Sequence, residues 1–362
     1  MRVVVVDDSA FMRRAMEKML ASDPEIEIVG RGRNGVQAVE LARKLEPDAM
    51  TLDIEMPEMD GLTALRKIMR EAPTHVVMVS SLTTEGSNES LRALRLGAAD
   101  VVAKGHSTYS ATIDDLRDEL IAKVKALAAD ARQKRSSAAA KPGAPKPRFD
   151  VEQRLNAPGG SNINLAGKRF DLICIGSSTG GPPVLEHVLP AIPADFPTPI
   201  VVAQHMPELF TRSMAARLDE LCQRPVVHAA HGDALDPHAI TICPGGQHTH
   251  LHRVGSASCR FHISDEPASE VYKPSVSVLF DSAAKVFGAR VLGAVLTGIG
   301  DDGKTGAQAI KQAGGTVLAQ TAESCVVYGM PRAVTEAGIS DGSVSPTGLA
   351  NALTSLHRAA AA

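Results

Sequence analysis

Five short, largely apolar runs punctuate the first third of the chain: Val3–Val6, Ile26–Val29, Ala49–Leu52, Val76–Val79 and Val101–Ala103. Between them lie helix-length segments such as Phe11–Leu20 and Val36–Leu45, in which apolar residues recur at three and four. This alternation leaves few folds open. A run that is apolar on every side must be covered on both faces, and helices joining parallel strands provide that cover. The expectation is an α/β unit of five strand–helix repeats around a parallel sheet.

The alternation stops near Ala129 and resumes near Arg169. The segment "RQKRSSAAAKPGAPKPR" (Arg132–Arg148) between them has six basic residues, no acidic ones and three prolines, which reads as a solvated, semi-extended tether rather than a strip that brushes acidic lipid. Beyond it, apolar runs at Asp171–Ile175, Ile200–Ala203, Val291–Thr297 and Thr316–Ala319 mark a second α/β region reaching about Leu356. The expected division is therefore residues 1–128, a linker over 129–166, and residues 167–358. A net charge of −3 offers no basic field for nucleic acid. No segment approaches the roughly 20 apolar residues of a membrane helix, and "MRVVVVDDSA" is not a signal peptide. Five scattered cysteines without a CxxC pair suit a reduced, cytoplasmic protein.

Charged and polar groups stand where the first five strands end. Asp7 and Asp8 close the first strand, Asp53 the third, Ser80 follows the fourth and Lys104 ends the fifth. In an open parallel sheet the carboxyl ends of strands share one crevice. Three carboxylates there repel one another unless a hard cation such as Mg²⁺ takes them as oxygen ligands. One carboxylate can then attack a phosphoryl group, with Lys104 and Ser80 holding its oxygens. These residues closely resemble the receiver domain of bacterial response regulators, a flavodoxin-like (βα)5 fold. The resemblance implies that Asp53 is the phosphoacceptor, that Asp7 and Asp8 hold Mg²⁺ with it, and that Ser80 and Lys104 are the switch residues. Gly105 departs from the proline that receivers commonly carry after the lysine.

In the second region, "DLICIGSSTGG" (Asp171–Gly181) breaks from an apolar run into serines and glycines. Gly176-Ser177-Ser178-Thr179-Gly180 fits G-x-S-x-G before an expected helix over Pro182–Leu189, a turn that exposes the central serine near a helix N-terminus. Neither a P-loop lysine nor a full G-x-G-x-x-G spacing supports phosphate binding instead. A nucleophilic serine needs a base, and the base an orienting carboxylate. His205 in "QHMP" and Asp301 or Asp302 in "LTGIGDDG" stand at ends of later strands, on the same expected sheet edge. Their chain order, Ser–His–Asp, differs from that of α/β-hydrolases.

The motifs "IGSSTGGP", "QHMP", "CPGGQH", "KPSVSVLF", "LTGIGDDG" and "SCVVYGMP" resemble successive motifs of the CheB family of chemotaxis methylesterases. The resemblance spans all but the linker. It implies a C-terminal doubly wound, mainly parallel α/β domain with Ser178 as nucleophile, His205 as general acid/base and Asp302 as orienting carboxylate. It places an oxyanion donor at the Ile299 N–H; replacing Ser177 by alanine is expected to be mild. The implied activity is phosphorylation-activated hydrolysis of glutamate γ-methyl esters on chemoreceptors, with glutamine deamidation beside it and no cofactor for the hydrolysis itself. A chemotaxis histidine kinase is the implied phosphodonor, and the membrane is approached through receptors only. The alternative is a response regulator whose second domain merely binds a partner, which would have no use for His205 and Asp302 at matching strand ends. Ser277 stands where relatives commonly carry Asp, and Asp301 where they often carry Asn. "GGQHTHLHR" sets His248, His250 and His252 on one face of a possible strand, a pattern that fits a surface strand better than a metal shell lacking a carboxylate.

Overall fold

The computed structural model describes residues 1–104, 113–139, 151–157, 160, 165, 167–255 and 258–361. They form two compact units, Met1–Val151 and Glu152–Ala362.

In the first unit β1 (Arg2–Val6), β2 (Glu27–Gly32), β3 (Ala49–Asp53), β4 (His75–Ser81) and β5 (Asp100–Lys104) pair in parallel, in the order β2-β1-β3-β4-β5. The helices are α1 (Ala10–Leu20), α2 (Gly35–Leu45), α3 (Gly61–Glu71), α4 (Thr84–Arg95) and α5 (Ile113–Ala139). Val3 to Val6 have no exposed surface, as a strand covered on both faces requires. Four helix starts are fixed by side-chain caps: Ser9, Asn34, Asp60 and Thr83 each accept a first-turn N–H. The strand order changes direction between β1 and β3, which opens the crevice at Asp7 and Asp53.

Helix α5 departs from the expected boundary at residue 128. It runs on to Ala139, because alanine, lysine, arginine and glutamine propagate a helix without an amphipathic pattern. Arg132 anchors this extension, its Nε 3.2 Å from Asp48 Oδ2. Residues 140–150 of the expected tether, and Gly105, lie outside the described residues.

A short α6 (Val151–Leu155) precedes the second sheet. Its strands are β6 (Leu172–Ser177), β7 (Ile200–Gln204), β8 (Val226–His228), β9 (Ile240–Ile242), β12 (Val291–Val295), β13 (Thr316–Gln320) and β14 (Gly342–Val344); β10 (His248–Val254) and β11 (Ser258–Ser264) form a separate antiparallel hairpin. The seven pair wholly in parallel, in the order β14-β13-β12-β6-β7-β9-β8. Helices α7 (Gly181–Val188), α8 (Glu208–Leu221), α9 (Val276–Phe287), α10 (Lys304–Gln312), α11 (Met330–Glu336) and α12 (Pro346–Ala361) complete the unit. Among the described residues no helix is long and apolar enough to cross a membrane.

The chain runs outward from central β6 in both directions, so β6, β7 and β12 deliver their ends to one edge. Gly176 brings α9 onto that edge, since a Cβ there would stand 2.2 Å from Val276 Cγ1. Gly180, at φ 80°, makes the turn itself. The two glycines of G-x-S-x-G therefore act differently: the first admits a neighbouring helix, and only the second needs left-handed backbone.

Candidate functional site

Ser178 follows β6, and its N–H donates to the Thr297 carbonyl at 3.0 Å. In the parallel register Ser177 is paired with Gln204, so Ser178 and His205 are the next residues on adjacent strands; the His205 N–H donates to Ser177 O at 3.0 Å. His205 Nε2 lies 2.8 Å from Asp302 Oδ2. The second ring nitrogen, Nδ1, is buried and has no hydrogen-bond partner, the Ser178 hydroxyl included. With Nε2–H donated to the carboxylate, Nδ1 carries the lone pair on the side left for proton transfer. The Tyr272 ring stacks on the imidazole at 4.6 Å and 5° between planes.

The two adjacent aspartates separate cleanly. Asp301 is exposed, whereas Asp302 is 7% exposed and sits at the N-terminus of α9. Its Oδ2 accepts the Val276 N–H at 2.7 Å besides His205, and its Oδ1 accepts the Ser277 N–H at 2.9 Å, the Gly303 N–H at 2.7 Å and the Ser275 hydroxyl at 3.0 Å. Burial alone would push this carboxyl up; the His205 hydrogen bond and charge, with the Ser277 and Val276 N–H groups, outweigh it and hold the group well below the usual carboxylate range. Asp302 is therefore an anion wherever the protein is folded near neutral pH. The Ser277 hydroxyl accepts a 2.8 Å bond from the Gly303 N–H, tying the aspartate loop to α9.

Several supporting residues have no counterpart in the sequence reading. Gln204 joins the two loops: its Oε1 accepts the Ser177 hydroxyl at 2.6 Å, and its Nε2 donates to Ser178 O at 2.9 Å and His205 O at 3.3 Å. Ser177, whose replacement by alanine is expected from the sequence to be mild, is half of this buried latch. Gly181 makes room for it, as a Cβ there would meet Gln204 Oε1 at 2.1 Å. Thr297 braces the far side, donating to Thr179 O at 2.9 Å and accepting the Val326 N–H at 3.1 Å. Gly298 then packs against the nucleophile, where a Cβ would approach Ser178 Cβ to 2.7 Å. Ile299 follows at once, and its N–H donates to no acceptor among the described residues. Gln204 was legible as the first residue of "QHMP" but not as a latch on Ser177; nothing local marked Tyr272.

The first unit gathers its strand-end residues into one pocket. Lys104 Nζ is 2.6 Å from Asp53 Oδ2 and 3.1 Å from Asp7 Oδ2. Asp53 Oδ1 accepts the Ile54 N–H at 2.8 Å, and the Ser80 hydroxyl donates to Gly86 O at 3.1 Å. Asp8, Glu55, Ser81 and Glu89 line the same pocket. Burial pushes the Asp53 carboxyl up to about 6, against the lowering pull of Lys104 and with a further push from Asp7. Oxygens of Asp7, Asp8 and Asp53 lie within 4.8 Å of one another, and Asp7 Oδ2 is buried without a well-directed hydrogen bond. A set of hard carboxylate oxygens gathered this closely fits Mg²⁺.

Comparison with known proteins agrees with both halves. A family model described as CheB methylesterase matches residues 173–353, and one described as response regulator receiver domain matches residues 3–111. A protein of Oleidesulfovibrio alaskensis named protein-glutamate methylesterase/protein-glutamine glutaminase 1 is 45% identical, covering 97% of this chain and 98% of its own length. Its namesake from Lawsonia intracellularis is 42% identical over 94% of each chain. The crystal structure of the Thermotoga maritima CheB methylesterase catalytic domain is 37% identical with a TM-score of 0.50, covering 52% of this chain and 98% of that one. Nothing among them supports a non-catalytic second domain.

Proposed function

This chain belongs to the CheB methylesterase family, with a response-regulator receiver at its N-terminus, and we propose that Ser178, His205 and Asp302 carry its hydrolysis and Asp53 its phosphorylation. The protein is a protein-glutamate methylesterase and protein-glutamine glutaminase, as its relatives are named. The observation that carries the residue assignment is the imidazole of His205, held by Asp302 on one nitrogen and without a partner on the other, at the strand end next to that of Ser178.

Ser178 Oγ attacks the γ-carbonyl carbon of a methylated glutamate while its proton passes to His205 Nδ1. The oxygen that gains charge is received by the Ile299 N–H. As the tetrahedral intermediate collapses, the proton on Nδ1 goes to the departing oxygen and methanol leaves. A water then attacks the acyl-serine, giving its proton to Nδ1, and collapse returns that proton to Ser178 and frees the glutamate. Asp302 stays ionised and stabilises the imidazolium formed in each half. With a glutamine substrate the amide nitrogen of the tetrahedral intermediate must take the proton from His205 Nδ1, and it then departs as ammonia.

Asp53 is the acceptor of the phosphoryl group, and Lys104 and Ser80 are placed at the same pocket to engage its oxygens. Asp7, Asp8 and Asp53 would hold Mg²⁺, which when bound neutralises charge on the phosphoryl oxygens. The substrates are methylated chemoreceptors and the phosphodonor is a chemotaxis histidine kinase. Five free cysteines suit the reducing cytoplasm. The test is methanol release from methyl-esterified receptor membranes. Ser178→Ala should lower turnover by about 10⁴-fold or more; a variant that retains turnover would move the nucleophile elsewhere.

A further inference from the structure

The β10–β11 hairpin lies outside the reaction described above, yet its outer face carries an unusual set of side chains. Alternate residues of a strand share one face. His250 and His252 therefore project together, and His262 on β11 is directly opposite His250. The ring centroids of these three stand 5.9 Å (His250–His262), 5.2 Å (His252–His262) and 6.2 Å (His250–His252) apart. His231, from the loop after β8, brings a fourth ring to 4.8 Å from His262. The opposite face is anchored by Leu251 and Phe261, both buried, so the strand pair is a fixed platform.

We propose that this face is a transition-metal site, in which His250, His252 and His262 bind one Zn²⁺-like divalent cation with His231 beside it. Two imidazoles at i and i+2 with a third across an antiparallel pair can converge on a single ion, and imidazole nitrogens favour zinc, nickel and copper over magnesium. The hydrogen bonding already suits ligation. His250 Nε2 donates to the Glu266 carbonyl at 2.9 Å, which leaves its Nδ1 lone pair for a metal; this is the outer-shell arrangement ligating histidines adopt. Arg260, opposite His252 on the same face, has its guanidinium drawn onto the Gly232 carbonyl. Among the described residues only Asp7, Asp8 and Asp53 already have their ligand atoms within 4.8 Å of one another. Closing the histidine set takes rotation about χ1 and χ2, which is open to His252 and His262 because both are exposed.

The sequence disfavoured a metal at this strand because alternating imidazoles suit a surface strand and no nearby carboxylate completed a shell; of the three, His248 is buried, accepting the Ser275 N–H on Nδ1 at 3.2 Å. The ligand that completes the set is contributed by the neighbouring strand.

The experiment uses the untagged full chain in saturating Mg²⁺, which occupies the aspartates of the first unit. Co²⁺ is titrated as a visible-absorbing stand-in for Zn²⁺, and Zn²⁺ binding is measured by calorimetry. One equivalent should bind with a nitrogen-ligand spectrum. His250→Asn and His262→Asn should each weaken it at least about tenfold, while His238→Asn, an exposed histidine elsewhere, leaves it unchanged. Metal-free melting temperatures should match wild type, and His252→Asn serves if either variant fails to fold. Absence of saturable binding up to about 1 mM, or binding unaltered by removing both His250 and His262, overturns the proposal.

Discussion

Replacing Asp302 by asparagine changes one atom and puts the whole carboxylate environment at odds with it. Oδ1 receives three donors and Oδ2 receives two. An asparagine that keeps its oxygen where three donors converge must point its NH₂ at the Val276 N–H and the His205 Nε2–H. Each buried donor left facing a donor costs about 1–3 kcal/mol, so destabilisation of about 2–6 kcal/mol is expected if the imidazole keeps its tautomer. His205 relieves half of that conflict by shifting its proton to Nδ1, and the lone pair the reaction needs is then on the wrong side. A tautomer inverted in this way costs roughly 10⁴ in turnover, about 5.5 kcal/mol of barrier. Methanol release and thermal unfolding are to be measured on Asp302→Asn, Asp301→Asn and Ser275→Ala. Asp301, exposed, should change neither readout by more than about 0.5 kcal/mol. Ser275→Ala removes one of five bonds to the carboxylate and the α9 cap to the Val278 N–H, and keeps the charge, so a loss of about 1–3 kcal/mol in stability and only a few-fold in turnover follows. Turnover of Asp302→Asn within tenfold of wild type, or equal losses at 301 and 302, would refute the reasoning.

Asp53→Asn should abolish labelling by acetyl phosphate and the accompanying rise in esterase turnover; labelling that persists would place the acceptor elsewhere. Burial raises the Asp53 carboxyl from 3.8 to about 6, so the folded protein binds the extra proton between those values. This group's contribution to stability therefore falls as pH rises through that window, and Mg²⁺, competing with the proton, should raise the receiver's melting temperature more at pH 7 than at pH 5. Equal gains at both would dissociate the metal from Asp53. Tyr272→Ala should lower kcat more than it raises KM and displace the pH profile, because the stacked ring holds the imidazole plane, whereas Tyr272→Phe should restore both; a KM effect alone would make it a substrate contact. Gly176→Ala should cost about 1–3 kcal/mol by overpacking against Val276 and reduce turnover by moving α9 off Asp302, with a wild-type melting temperature as the contrary result.

Strand ends were the legible part of this chain. Uniform valine at 3–6 could only be a doubly covered strand, and polar residues closing such strands fall into one crevice whatever the loop details. The same logic brought Ser178, His205 and Asp302 to one edge. What stayed hidden depends on contacts between elements far apart in sequence. Three-residue strands such as β8 and β14 carry too few residues for any period to show. Gln204 reads as an ordinary strand terminus until Ser177 is laid beside it, and Tyr272 gains meaning only from a ring 67 positions earlier in the numbering. Helix α5 outran its amphipathic pattern because strong helix formers continue past the last periodic apolar residue.

The Asp302 carboxylate is addressed mostly by peptide N–H groups, and that has a consequence for drift at the start of α9. A peptide group is the same whichever side chain it bears, so positions 276 and 277 can vary and still offer Asp302 the same two protons. Serine at 277 leaves that N–H as it would be under any other side chain but proline. Proline alone lacks the proton. At position 276 it is also a residue the helix itself would accept, since the first helical position favours proline and Ser275 already has the extended backbone (φ −75°, ψ 131°) that must precede it. Val276→Pro is thus a change that the helix start tolerates and the catalytic carboxylate does not: it should cost about 1–3 kcal/mol in stability through the lost 2.7 Å bond, and more in turnover than that loss alone would suggest.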